Sequence, residues 1–270
     1  MNLSRASAYV LFFASTVYAT ELNYPTPQSK LNEQFIEKSK HNEAKLRAYG
    51  GRKPSSAIVT PFIVNGETVS PPDKYPYATY AYGCGASLIA PNVLLSAAHC
   101  QGFIEEVLVG AFNRLDETAA GTEKFTIAEE VPHPNYSNNA IDYDYMVMRL
   151  DGSSSHDPVS LDNGSTNLLG NGSELTVMGW GALSQGGNLA NDLQEVDVDV
   201  DVGCGNYSPS SITERMFCAG RSSGNTHYDS CQGDSGGPII HKDSGVQVGV
   251  VSGMFEPILY RTYHIMPCIC

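Results

Sequence analysis

Ten consecutive residues, Asp229-Ser230-Cys231-Gln232-Gly233-Asp234-Ser235-Gly236-Gly237-Pro238, combine serine hydroxyls, two carboxylates and three internal glycines. A serine hydroxyl is a weak nucleophile at neutral pH. To attack a carbonyl it needs a base to take its proton and N–H donors aimed where the carbonyl oxygen becomes negative. Gly233 lacks a Cβ, so the chain can bend until its own N–H and that of Ser235 point the same way. That is an oxyanion hole in outline. Standing alone, such a string reads equally well as a polar surface turn.

Two other stretches supply the rest of that chemistry. Leu94-Leu95-Ser96-Ala97-Ala98-His99-Cys100 puts a histidine at the end of an apolar run, and Asp144 stands immediately before the run Tyr145 to Leu150. A histidine can take the serine proton and deliver it to a leaving amine, while a carboxylate fixes the imidazole tautomer and stabilises the imidazolium. The chain order is His, Asp, Ser. With Ile63-Val64-Asn65-Gly66, these stretches resemble the trypsin/chymotrypsin family of serine endopeptidases, from Ile63 to about Ser252.

That resemblance implies Ser235 as nucleophile, His99 as general base and acid, Asp144 as the orienting carboxylate, and the N–H groups of Gly233 and Ser235 as the oxyanion hole. Asp142 is the rival aspartate, with a turn as its alternative role; the family pattern favours the residue directly before the strand. Asp229 falls at the floor of the family's primary specificity pocket, where a carboxylate suits an Arg or Lys side chain of the substrate. Cleavage before Ile63 would free an ammonium to pair with Asp234, a buried ion pair that cannot form in the uncut chain. Phe62 departs from the Arg or Lys usual at that bond, so activation falls to a protease of other specificity or proceeds in stages from Arg52. The resemblance also pairs Cys84 with Cys100 and Cys204 with Cys218, two loops of about fifteen residues that stabilise by roughly 3 kcal/mol each. Cys231 has only Cys268 and Cys270 as downstream partners, which leaves one cysteine over.

The elements that must position these groups read as strands. Ala86 to Ala90 and Val93 to Ser96 flank a Pro91-Asn92 turn; Val107 to Val109, Phe125 to Ile127, Tyr145 to Met148, Leu175 to Met178 and Val248 to Val251 are further short apolar runs. Val196 to Val202 alternates valine with Asp197, Asp199 and Asp201, a strand with one dry and one solvated face rather than a calcium loop. No long helical periodicity appears after Tyr75, so the class is all-β. The family fold implied is two six-stranded antiparallel β-barrels with the active site in the cleft between them.

Composition sets the surroundings. Seven cysteines and a formal net charge of −13 fit an extracellular protein and disfavour nucleic acid or anionic membrane as partners. Arg5, the apolar run Ala8 to Ala14 and Val17-Tyr18-Ala19 form a signal peptide over residues 1–19, too short to span a bilayer. Residues 20–62, rich in lysine and arginine, read as a pro-segment or a disordered linker, and 63–270 as the peptidase domain. Secretion, oxidised cysteines, polypeptide substrates, protein protease inhibitors as partners, and a monomer are expected. Sequons at Asn135, Asn163, Asn171 and Asn206 predict glycosylation in loops. No cofactor is implied, no histidine has metal-ligand spacing, and the family's optional calcium loop, here Ala111 to Lys124, fits poorly.

After Ser252 the pattern breaks. The family continues with a Trp-Gly pair, a cysteine, a further strand and a helix, whereas this chain reads Gly253-Met254-Phe255-Glu256-Pro257 and contains one tryptophan, Trp180, at a different position. The second barrel is therefore expected to lack or rebuild its last strand, either because the true product is longer or because the protein has diverged. A secreted binding protein on the same scaffold is the competing function; a lipase or esterase is disfavoured because its G-x-S-x-G elbow and Ser, Asp, His order are absent.

Overall fold

A computed structural model describes residues 66–137, 142–182, 188–204, 212–223, 226–228, 230, 233–252 and 268–269. Fourteen strands and a single 3-10 turn at Ala98–Cys100 account for its regular structure. Six strands close into a barrel in the order β2 (Ala78–Ala81), β3 (Cys84–Ala90), β4 (Val93–Ser96), β7 (Met146–Leu150), β6 (Glu123–Pro132), β5 (Glu106–Val109), with β5 returning to β2. The expected Pro91-Asn92 turn joins β3 to β4, and the pair stays antiparallel from Ser87↔Leu95 onward. Strand β7 follows the period-two rule: Met146, Met148 and Leu150 are buried against Leu88, Leu94, Val107 and Val109, while Val147 and Arg149 face out. Each such side chain contributes roughly 1.5–3 kcal/mol by leaving water.

The remaining strands form one sheet in the order β11 (Thr226–Tyr228), β10 (Phe217–Ser223), β9 (Gln194–Asp201), β8 (Glu174–Gly179), β12 (Pro238–His241), β13 (Gln247–Val250). Two short strands, β1 (Glu67–Thr68) and β14 (Cys268–Ile269), add to β9 and β10. Among the described residues this sheet does not close, in line with the expected loss of a strand from the second barrel. Strand β9 alternates as predicted, with Val196, Val198 and Val200 buried. Its polar face is engaged rather than merely wet: Lys242 Nζ lies 2.7 Å from Asp197, and the Arg221 fork bonds both oxygens of Asp199 at 2.8 Å.

Barrel and sheet share an apolar seam. Tyr80 and Leu108 of the barrel pack with Met178, Trp180, Leu193 and Ile240 of the sheet. Trp180 meets the Tyr80 ring edge-on at 5.6 Å and donates its indole N–H to the Phe112 carbonyl at 3.0 Å, so its polar atom is satisfied where its ring is buried.

Candidate active site

Strand β4 ends at Ser96, and the 3-10 turn that follows delivers His99 beside the start of β7. Asp144 sits there fully buried. Its Oδ1 accepts the His99 main-chain N–H at 2.8 Å, and its Oδ2 lies 2.7 Å from His99 Nδ1. A carboxylate can only accept, so Nδ1 carries the proton and Nε2 is left as the acceptor on the outer edge of the ring. The Ser252 hydroxyl, also buried, donates to Asp144 Oδ2 at 2.5 Å. Burial alone pushes the Asp144 carboxyl up, but the hydrogen bond and charge of His99, with the Ser252 hydroxyl and the His99 N–H, together hold it below the ordinary aspartate range. It is therefore ionised at neutral pH.

The segment carrying Ser235 is held against the barrel by main chain. Gly85 N–H donates to the Ser235 carbonyl at 2.7 Å, and that carbonyl lies 3.9 Å from Cys100 Sγ, next to His99. A Cβ on Gly85 would stand 2.8 Å from Gly237 Cα, and one on Gly236 would meet Ser96 Oγ at 2.3 Å and the Gly85 carbonyl at 2.4 Å. Only glycine permits that approach. Gly233 has φ of 99°, in the left-handed region that favours glycine. Among the described residues, the N–H groups of Gly233 and Ser235 donate to nothing, and the Ser235 hydroxyl makes no hydrogen bond. Two main-chain donors and a hydroxyl thus stand uncommitted in one turn.

This arrangement has known counterparts. A family model described as Trypsin matches residues 51–261. The chain belongs to the trypsin family of serine peptidases. Trypsin-1 of Salmo salar is 38% identical over 184 residues, covering 64% of this chain and 72% of that protein. Cationic trypsin-3 of Rattus norvegicus is 37% identical over 173 residues, 63% and 68% of the two chains. A solved structure of mouse neuropsin, titled a serine protease, superposes with a TM-score of 0.64 at 28% identity over 76% of this chain and 92% of that one.

The other expected trypsin-family residues distribute as follows. Disulfides join Cys84 to Cys100, beside His99, and Cys204 to Cys218. Cys84, His99 and Cys100 have ligand atoms within 4.8 Å of one another, yet both sulfurs belong to one disulfide and offer no thiolate to a metal. Asp234 is fully buried; its carboxylate accepts the Gly181 N–H at 2.8 Å and fills the space that side chains at 179 and 181 would need. Asp142 is turned away from His99: Arg215 Nε and Nη2 reach it at 2.8 and 2.6 Å, and the Thr213 hydroxyl at 2.9 Å. Asn135, Asn163 and Asn171 are exposed. Asp229, Ile63, Phe62, Arg52, Cys231, the Asn206 sequon, the signal and pro-segments and the stretch after Ser252 lie outside the described residues, apart from Cys268 and Ile269, whose backbone lies opposite Cys218 and Phe217 in the β10–β14 ladder. Where the calcium loop was considered, Lys124 Nζ lies 2.9 Å from both Glu106 and Glu117.

Ser252 and Arg215 are the residues that sequence reasoning missed. Ser252 carried one signal, its place at the end of the apolar run from Val248. A groove of about 780 Å³ on the second sheet, lined by Lys74, Tyr75, Glu195, Asp197, Arg221 and Lys242, shares no residue with His99, Asp144 or Ser235. Its cations are ion-paired to its own acids or their neighbours.

Proposed function

We propose that this chain is a secreted serine endopeptidase in which Ser235, His99 and Asp144 act as a triad. The observation that carries the reading is the buried Asp144 bonded to both the Nδ1 and the main-chain N–H of His99. It leaves Nε2 to accept the Ser235 Oγ proton as that oxygen attacks a peptide carbonyl. The carbonyl oxygen becomes an oxyanion held by the N–H groups of Gly233 and Ser235. Collapse of this intermediate expels the amine, which takes the proton from His99, and leaves an acyl-enzyme that water hydrolyses by the same steps in reverse. Catalytic hydrogen bonds tighten when substrate binds, so an unbonded Ser235 hydroxyl in the free chain accords with this scheme.

Asp229 is proposed to receive the guanidinium or ammonium of an Arg or Lys preceding the cleaved bond, and a freed Ile63 ammonium to approach Asp234. A fluorophosphonate that labels the activated wild type but not Ser235→Ala is the expected result. The labelled chain should begin at Ile63 on N-terminal sequencing and turn over Arg or Lys substrates faster than aromatic ones. One observation favours the binding-protein reading: among the described residues the second sheet does not close. Absence of labelling in chain that begins at Ile63 would decide for it.

A further inference from the structure

Tyr143, the residue before Asp144, has φ of 57°, a left-handed conformation that a bulky side chain rarely adopts. Something must hold it there. Its ring stacks on His133 with centroids 4.5 Å apart and planes 3° from parallel, and the Arg215 guanidinium lies 4.3 Å from the ring centroid. Arg215 also forks onto Asp142, which receives the Thr213 hydroxyl and the Tyr143 N–H as well. His133 touches the other neighbour of Asp144 too, with the Tyr145 ring 4.8 Å away and its own N–H on the Tyr145 carbonyl at 3.0 Å. Tyr145 N–H closes the turn onto the Tyr143 carbonyl at 2.8 Å, around Asp144 itself.

Arg215 and Thr213 lie just before β10 of the open sheet, while Asp142 to Tyr145 lead into β7 of the barrel. We infer that Arg215 is a positioning residue: by gripping Asp142 and the Tyr143 ring from the opposite half of the molecule, it holds the left-handed turn that aims Asp144 at His99. This role rests on the triad reading above. Loss of the grip lets Tyr143 relax to negative φ and swings the carboxylate, weakening its support of the imidazolium without touching substrate.

The test is an NMR measurement of the His99 Nδ1–H resonance, whose downfield position reports its 2.7 Å hydrogen bond to Asp144, in the full-length chain, as wild type, Arg215→Met, Arg215→Lys and Arg215→Met with Tyr143→Asn. Arg215→Met should move that resonance upfield as the carboxylate swings away and the bond lengthens or breaks. Arg215→Lys keeps the charge without the fork and should recover only part. Asparagine tolerates left-handed backbone, so the double variant should return toward wild type, a rescue that a merely structural arginine would not give. In turnover, kcat should fall roughly tenfold to a hundredfold with KM unchanged, the size of effect that small misplacements produce. An unmoved Nδ1–H resonance in folded Arg215→Met, or a double variant no closer to wild type than the single, would overturn the inference. A wild-type chain that a fluorophosphonate leaves unlabelled would defeat the endopeptidase reading alone, because the His99 Nδ1–H resonance decides the role of Arg215 without any catalysis.

Discussion

Two aspartates two residues apart meet opposite fates. Asp144 is enclosed and bonded to His99 and Ser252, whereas Asp142 forms a partly exposed ion pair with Arg215. Asp144→Asn should lower kcat by about 10⁴-fold, because the amide presents a donor to Nδ1 and stabilises the wrong tautomer. Asp142→Asn should cost far less. Asp144 also ties stability to pH. Its folded value is depressed, so its contribution is complete above the ordinary aspartate value of 3.8 and disappears as pH falls through the lower folded value. Acid melts of wild type and Asp144→Asn should therefore converge at low pH; parallel curves would refute the coupling. The choice of Asp144 over Asp142 rested on the family resemblance, which puts the aspartate directly before the apolar strand. The partner of Asp142 was not legible, since the two residues are 73 positions apart and a long-range ion pair leaves no local pattern.

At the scale of elements, strands were the most legible feature. The valine-aspartate alternation of β9 and the apolar runs of β4, β7 and β8 emerged where period and composition placed them. Strand β10 escaped notice because Phe217 to Ser223 mixes glycine, arginine and serine and owes its pairing to neighbours. At the end of the loop from Ala111 to Lys124 the Lys124 ammonium bridges Glu106 and Glu117, and Glu117 also accepts the Tyr82 hydroxyl at 2.7 Å. Those bonds, from Glu117 first, hold the lysine well above its usual pKa, so it stays charged across the working range. Millimolar calcium should leave the melting temperature of wild type unchanged and raise it, if anywhere, only in Lys124→Ala. A rise in wild type would show that the loop binds the ion despite its lysine.

For the whole molecule, the proposed active chain, residues 63–270, holds 8 Lys and Arg against 25 Asp and Glu, and its formal charge of −17 should attract cationic peptides. The kcat/KM for an Arg or Lys substrate should fall as ionic strength rises from about 10 mM to 1 M, since the screening length shrinks roughly tenfold over that span. A flat profile would confine recognition to the pocket. The strands alone left barrel and sandwich open, and closure of the first barrel was implied only by the family resemblance; the open edge of the second sheet among the described residues could be anticipated only from the mismatch after Ser252, because sheet closure depends on partners far along the chain.

The back-to-back glycines 85 and 237, with Gly85 N–H on the Ser235 carbonyl, bear on how such proteins can be recombined. The two halves are registered at Ser235 by peptide groups, which every sequence carries, and not by a lock-and-key of side chains. Hybrids that take one half from a relative should thus keep the serine in place provided both junction positions stay free of a Cβ, whatever else drifts around them.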